Sequence, residues 1–105
     1  MSAAQPLTSG PGENLDDRTL VERVAQYRDR DAFQRLFLYF GPKIKGLMMR
    51  SGSDADTAED LAQEVMLTLW RKAGLYAPER GSVSAWVFTI ARNVRIDRLR
   101  RQSSR

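Results

Sequence analysis

Between Leu20 and Val94 the large apolar residues of this chain recur at steps of three and four, and no stretch alternates apolar with polar residues over the length of a strand. Steps of three and four keep side chains on one face of an α-helix, whereas a half-buried strand needs a step of two. The chain can build a core only from helices, which predicts an all-α fold, a compact bundle of about four. Its 105 residues suffice for one domain with a modest core and fall short of two.

Residues 1–14, MSAAQPLTSGPGEN, hold two prolines, two glycines and little apolar content, and read as a disordered arm. The folded domain is expected over residues 15–102. Its first helix opens at Asp16 or Asp17 and buries a stripe of Leu20, Val21, Val24 and Tyr27. A second starts at Asp29 or Asp31 and runs through Arg50, with Phe33, Leu36, Phe37, Phe40, Ile44, Leu47 and Met48 at helical spacing. A kink or break is expected in it at Gly41 and Pro42, because proline removes a donor and clashes with the preceding turn. The third is capped by Ser53 or Asp54, runs to about Ala73 and buries Ala58, Leu61, Ala62, Val65, Met66 and Leu69. After the breaker segment GLYAPERGS, Ser82 or Ser84 caps the fourth. Val83, Trp86, Val87, Ile90, Ala91 and Val94 should face inward there, with Phe88 nearly opposite and Asn93 at the edge of the buried face beside Trp86.

The chain has no Cys and no His, so disulfides, thiolate or imidazole metal sites, cysteine nucleophiles and His-based acid–base chemistry are excluded. An enzyme is not expected, and neither is a cofactor or a metal, since hard-cation sites gather oxygens from more than one element. No apolar run approaches the roughly 20 residues of a membrane span, and the start lacks a signal pattern. A soluble, cytoplasmic protein without membrane insertion is expected.

Seventeen Lys and Arg stand against thirteen Asp and Glu, a net charge of +4. Fourteen of the cations are arginine, whose planar fork suits phosphate or an acidic protein surface. Charge is also segregated. Residues 53–64 carry five carboxylates and no cation, and residues 92–105 carry six arginines and one aspartate, which places opposite signs at the two ends of the fold.

On the third helix Asp56, Asp60, Gln63, Glu64 and Leu67 share a face turned away from the buried stripe. A solvated helix surface accounts for such a face. Yet like charges four apart weaken an isolated helix, and Leu67 and Trp70 add apolar area of the kind that docks a basic partner helix. On the fourth helix Arg92, Arg95, Arg98, Arg100, Arg101 and Arg105 surround the end. A solvated turn favoured by the helix dipole accounts for them as well as phosphate binding does, and core packing accounts for Trp86. Taken together, an arginine array for the backbone, an aromatic for an unpaired base, an asparagine for a base edge and a small-residue turn describe a binder of single-stranded or melted DNA.

The segments AEDLAQEVMLTLWRKA and GSVSAWVFTIARNVRIDRLRR, in this order and spacing, resemble region 2 of the bacterial sigma factors of the extracytoplasmic-function class, group IV. The resemblance covers about residues 15–102. It implies that Asp60, Leu61, Gln63 and Glu64 contact the coiled-coil clamp helices of the β′ subunit of core RNA polymerase. It implies that Asn93 helps read a −10 promoter base flipped out of the non-template strand, and that the loop from about Leu75 to Ser84 forms much of its pocket. Tyr76, Glu79, Arg80 and Ser82 are the candidate readers there. Trp86, Ile90, Ala91, Arg92 and Asn93 match the motif of regions 2.3 and 2.4, and Arg92, Arg95 and Arg98 are implied to meet phosphates.

Primary sigma factors carry more aromatics where this chain has chiefly Trp86 and Phe88, which fits a stress-type factor that melts fewer, stricter promoters. Family members continue into a region 4 that reads the −35 element. The chain ends at RRQSSR, so a fragment or separately expressed domain is expected, with residues 103–105 the start of the linker. Two other readings stand beside this one. The domain is the target of an anti-sigma factor, with Leu67, Trp70 and Phe88 as exposed anchors, or it is a stand-alone basic helical binder of duplex DNA.

Overall fold

A computed structural model describes residues 15–103. The expected arm, residues 1–14, and positions 104 and 105 lie outside the described residues. Four α-helices follow in order: α1 Asp17–Tyr27, α2 Arg30–Arg50, α3 Ala55–Lys72 and α4 Val83–Ser103. Two 3₁₀ turns, Ala73–Leu75 and Pro78–Arg80, connect α3 to α4. Among the described residues there is no strand, and no helix is long and apolar enough to cross a membrane.

Each helix begins where a short polar side chain can reach back to an amide left free in the first turn. Asp16 accepts from the Thr19 N–H at 2.8 Å, Asp29 from Ala32 at 3.1 Å, Asp54 from Thr57 at 2.8 Å and Ser82 from Ala85 at 3.0 Å. In each expected pair the residue that caps is the one whose oxygen meets the amide three positions on, the geometry a cap requires. These bonds favour ionised carboxylates and hold Asp16 and Asp54 below the ordinary carboxylate range, the bond from the Thr19 or Thr57 amide being the main cause. A carboxyl depressed on folding contributes stability above its unfolded pKa and loses it as pH falls through the folded value. Replacing both by Asn keeps a capping oxygen and removes the titration. The acid-side fall in Tm, followed by circular dichroism from neutral pH downward, should become shallower than in the parent.

The core comprises Leu20, Val21 and Val24 of α1, Ala32, Leu36, Phe40, Ile44 and Met48 of α2, the whole expected stripe of α3, and Val83, Val87, Ile90, Ala91 and Val94 of α4. α3 packs most extensively on α2 and α4, which places its acidic side outward. Three expectations are corrected. First, of the kink or break expected at Gly41 and Pro42, the break does not occur, and α2 continues through both residues. The carbonyl that Pro42 cannot serve belongs to Leu38, which is exposed, so water can satisfy it. Secondly, Tyr27 is 74% exposed, because α1 ends there and the chain turns through a left-handed Arg28 (φ 51°). Thirdly, Phe88 is half-buried and meets Phe40 edge-on at 6.4 Å, so it packs on the core and is no exposed anchor.

Trp70 is likewise packed. Its ring meets Phe33 edge-on at 5.1 Å, and the Arg28 guanidinium lies 4.2 Å from the ring centre while donating to the Trp70 carbonyl at 2.6 Å. Arg28 therefore ties the end of α1 to the last turn of α3, a cation–π and carbonyl contact that offsets its left-handed backbone.

Candidate nucleic-acid interface

The connection between α3 and α4 folds back on itself. Ala73 is buried and anchors its start, the Gly81 N–H donates to the Pro78 carbonyl at 3.2 Å, and the Tyr76 hydroxyl donates to the Gly81 carbonyl at 2.8 Å. Gly81 has φ 144°, a backbone that side chains other than hydrogen rarely adopt, so a glycine is needed where the loop enters α4. Closure brings the Tyr76 ring to 5.2 Å from Trp86, tilted by 45°. These two rings, with Leu75, Arg80, Ser82 and Thr89, line a cavity of about 320 Å³, within the roughly 300–1,000 Å³ range of small-ligand sites.

Trp86, read from its spacing as a core residue, is half-buried and serves as a cavity wall. The loop residues Tyr76, Arg80 and Ser82 line the same cavity. Their polar groups differ in availability. The Tyr76 proton is committed to Gly81, Ser82 accepts from Ala85 and keeps its own proton to donate, and Thr89 donates to the Ala85 carbonyl at 2.9 Å. Arg80 is exposed at the rim.

Asn93 lies one turn beyond Thr89 on α4 and is exposed, where the sequence reading put it at the edge of the buried face. Arg92 is exposed too, with no hydrogen bond or ion pair among the described residues. The other two arginines marked for phosphate are engaged. Arg95 donates to the Ser51 carbonyl at the end of α2 at 3.1 Å, filling one of the acceptors a helix terminus leaves open. Arg98 lies 3.8 Å from the Glu64 carboxylate.

On α3, Asp56, Asp60, Gln63 and Leu67 are exposed together, as expected. Glu64 is only half-exposed because it turns toward Arg98. The acidic and basic segments therefore abut across the α3–α4 packing, and the expectation of opposite signs at separate ends is corrected. Sequence reasoning missed Glu59. It pairs with Lys45 of α2 at 3.2 Å and accepts from Gln63 at 3.4 Å. The bond from Lys45 is the main cause holding its carboxyl below the ordinary range.

Comparison with known proteins shows the family of the chain. Residues 36–105 match the profile of Sigma-70 region 2. The chain is 53% identical over 89 residues to the ECF RNA polymerase sigma factor RpoE of Cereibacter sphaeroides, an alignment covering 81% of this chain and 49% of that protein. It is 33% identical over 98 residues to the ECF RNA polymerase sigma factor SigK of Mycobacterium ulcerans, covering 93% and 52%. Rhodobacter sphaeroides SigE, solved in complex with the anti-sigma ChrR, superimposes with a TM-score of 0.73 at 51% identity, over 74% of this chain and 44% of that one. The chain spans about half the length of the curated relatives it matches. With the profile covering most of α2 and everything after it, and these relatives at such identity, the chain belongs to the Sigma-70 region 2 family, in its extracytoplasmic-function class.

Proposed function

We propose that this domain, over residues 15–102, serves transcription initiation by docking on the β′ clamp helices of core RNA polymerase through α3 and by capturing an unstacked non-template base of the −10 element at the start of α4. The observation that carries the reading is the cavity at the start of α4, lined on one side by the Tyr76 and Trp86 rings in contact with each other, which is followed on that helix by an exposed asparagine and an unpaired arginine. Extruding a base costs a few kcal/mol. Stacking on one aromatic returns about 1–3 kcal/mol per base, and phosphate contacts supply the rest. Asp56, Asp60, Gln63 and Leu67 offer carboxylates and apolar area to a basic helix on the other exposed face. Nucleotide addition belongs to the polymerase, so the domain has no covalent chemistry of its own and works in the cytoplasm where the polymerase is.

Two substitutions separate base reading from backbone binding. Asn93→Ala should lower the preference for the cognate −10 strand over a scrambled one by about 1–3 kcal/mol, the scale of one bidentate base contact. Arg92→Ala should weaken both strands alike and lower the slope of log affinity against log salt by about 0.7, one phosphate contact on a single strand. If Asn93→Ala weakened both strands equally, Asn93 would not be a base reader.

A second reading is favoured by the solved relative, which was captured with an anti-sigma protein. A partner of that kind would cover α3, where Leu67 is 51% exposed among the acids. Trp70 and Phe88 do not join that surface, being packed on Phe33 and Phe40.

A further inference from the structure

We infer that Glu64 is a latch shared by the two faces: in the free domain it holds Arg98 against α3, and a cationic partner that takes Glu64 releases Arg98 to phosphate. The inference rests on the proposed function and adds a coupling to it. Glu64 belongs to the face assigned to the polymerase and Arg98 to the helix assigned to DNA, yet their side chains meet at 3.8 Å. They are 38% and 27% exposed, open enough to exchange partners and covered enough that the pairing orients the arginine. While the pair persists, the carboxylate both occupies the guanidinium and repels a phosphate approaching it. A cation on the docking face removes both effects. Binding at one face then favours binding at the other, and linkage requires the effect to be reciprocal. Arg95 is not part of the latch, because its partner is the backbone carbonyl of Ser51, just past α2, which no polymerase contact on α3 displaces.

The pair is partly exposed, and such pairs are worth little, so the expected coupling is modest: about two- to five-fold in affinity. The test is binding of a single-stranded −10 oligonucleotide to the chain without polymerase, across several salt concentrations. Glu64→Gln should tighten binding about two- to five-fold and steepen the salt slope by about 0.7. In an Arg98→Ala background the same substitution should change nothing. Glu59→Gln, which removes an equal charge from the same helix without touching Arg98, should leave binding unchanged. A gain from Glu64→Gln that persists without Arg98, or that Glu59→Gln reproduces, overturns the latch and leaves the DNA interface standing. Failure of the parent chain and every variant to bind the oligonucleotide overturns the interface and the latch together.

Discussion

Asp60→Lys is expected to weaken binding to core RNA polymerase by about 2–5 kcal/mol, roughly thirty- to three-thousand-fold, while leaving the affinity for a −10 single strand within experimental scatter. Asp60 is exposed on α3, with no ion pair among the described residues, and lies away from the cavity. Changing it should therefore move the stability of the fold by no more than about 0.5 kcal/mol. In the proposed docking the carboxylate would be desolvated against a basic helix, and lysine there would set like charges face to face at a covered position. The clean site is Asp60, not Glu64, because reversing Glu64 would also drive Arg98 away from α3 and disturb both readouts. Fluorescence anisotropy with labelled domain measures the polymerase affinity, and a thermal melt checks the fold. Unaltered polymerase binding by a folded Asp60→Lys variant would remove α3 as the docking face.

The largest effect on stability is expected at Phe40. Phe40→Ala should cost about 3–5 kcal/mol, the range for emptying a phenylalanine site in a core. Phe40 is fully buried in the middle of α2, with Tyr39 edge-on at 4.9 Å and Phe88 at 6.4 Å. Its loss strips a partner from the inward side of α4 as well as from α2. Small domains are stable by only about 5–15 kcal/mol, so one such change takes a large share. In urea the midpoint should fall with an unchanged slope, the mark of lost stability in a two-state transition. Tyr27→Ala, at an equally aromatic but 74% exposed position, should stay within about 0.5 kcal/mol. A loss below 1 kcal/mol at Phe40 would mean that α2 and α4 do not pack through it.

What was legible in the sequence followed from period and cap chemistry. The α3 stripe was read without error because a central helix with neighbours on two sides buries every residue of its apolar arc. Periodicity gives an angle around a helix but not what lies opposite. That is why Tyr27 was placed in the core and Phe88 was taken as an exposed anchor. Tyr27 has no element over it, and Phe88 is covered by the passage of α2, while Trp86 packs against the core as expected and also lines the cavity.

The break expected at Pro42 is absent for a related reason. Its penalty depends on whether water reaches the orphaned carbonyl, a matter of tertiary exposure. The polar ties between distant segments, Arg28 on Trp70, Arg95 on Ser51 and Arg98 on Glu64, left no local trace. Of the candidate site, the small-residue turn, Trp86 and Asn93 were singled out from residue type and spacing, and the wider loop from the family resemblance. The engagement of two of the three arginines appears only once α4 is laid across α2 and α3.

The proposal that α4 and its entry loop hold a base that has left the duplex is best tried by comparing the binding of a −10 oligonucleotide in single-stranded and duplex form to this chain in complex with core polymerase. Clear preference for the single non-template strand is expected, lost when Trp86 is replaced by Ala. Equal or tighter binding of the duplex, unchanged by Trp86→Ala, would contradict it and assign the domain to the basic duplex binders.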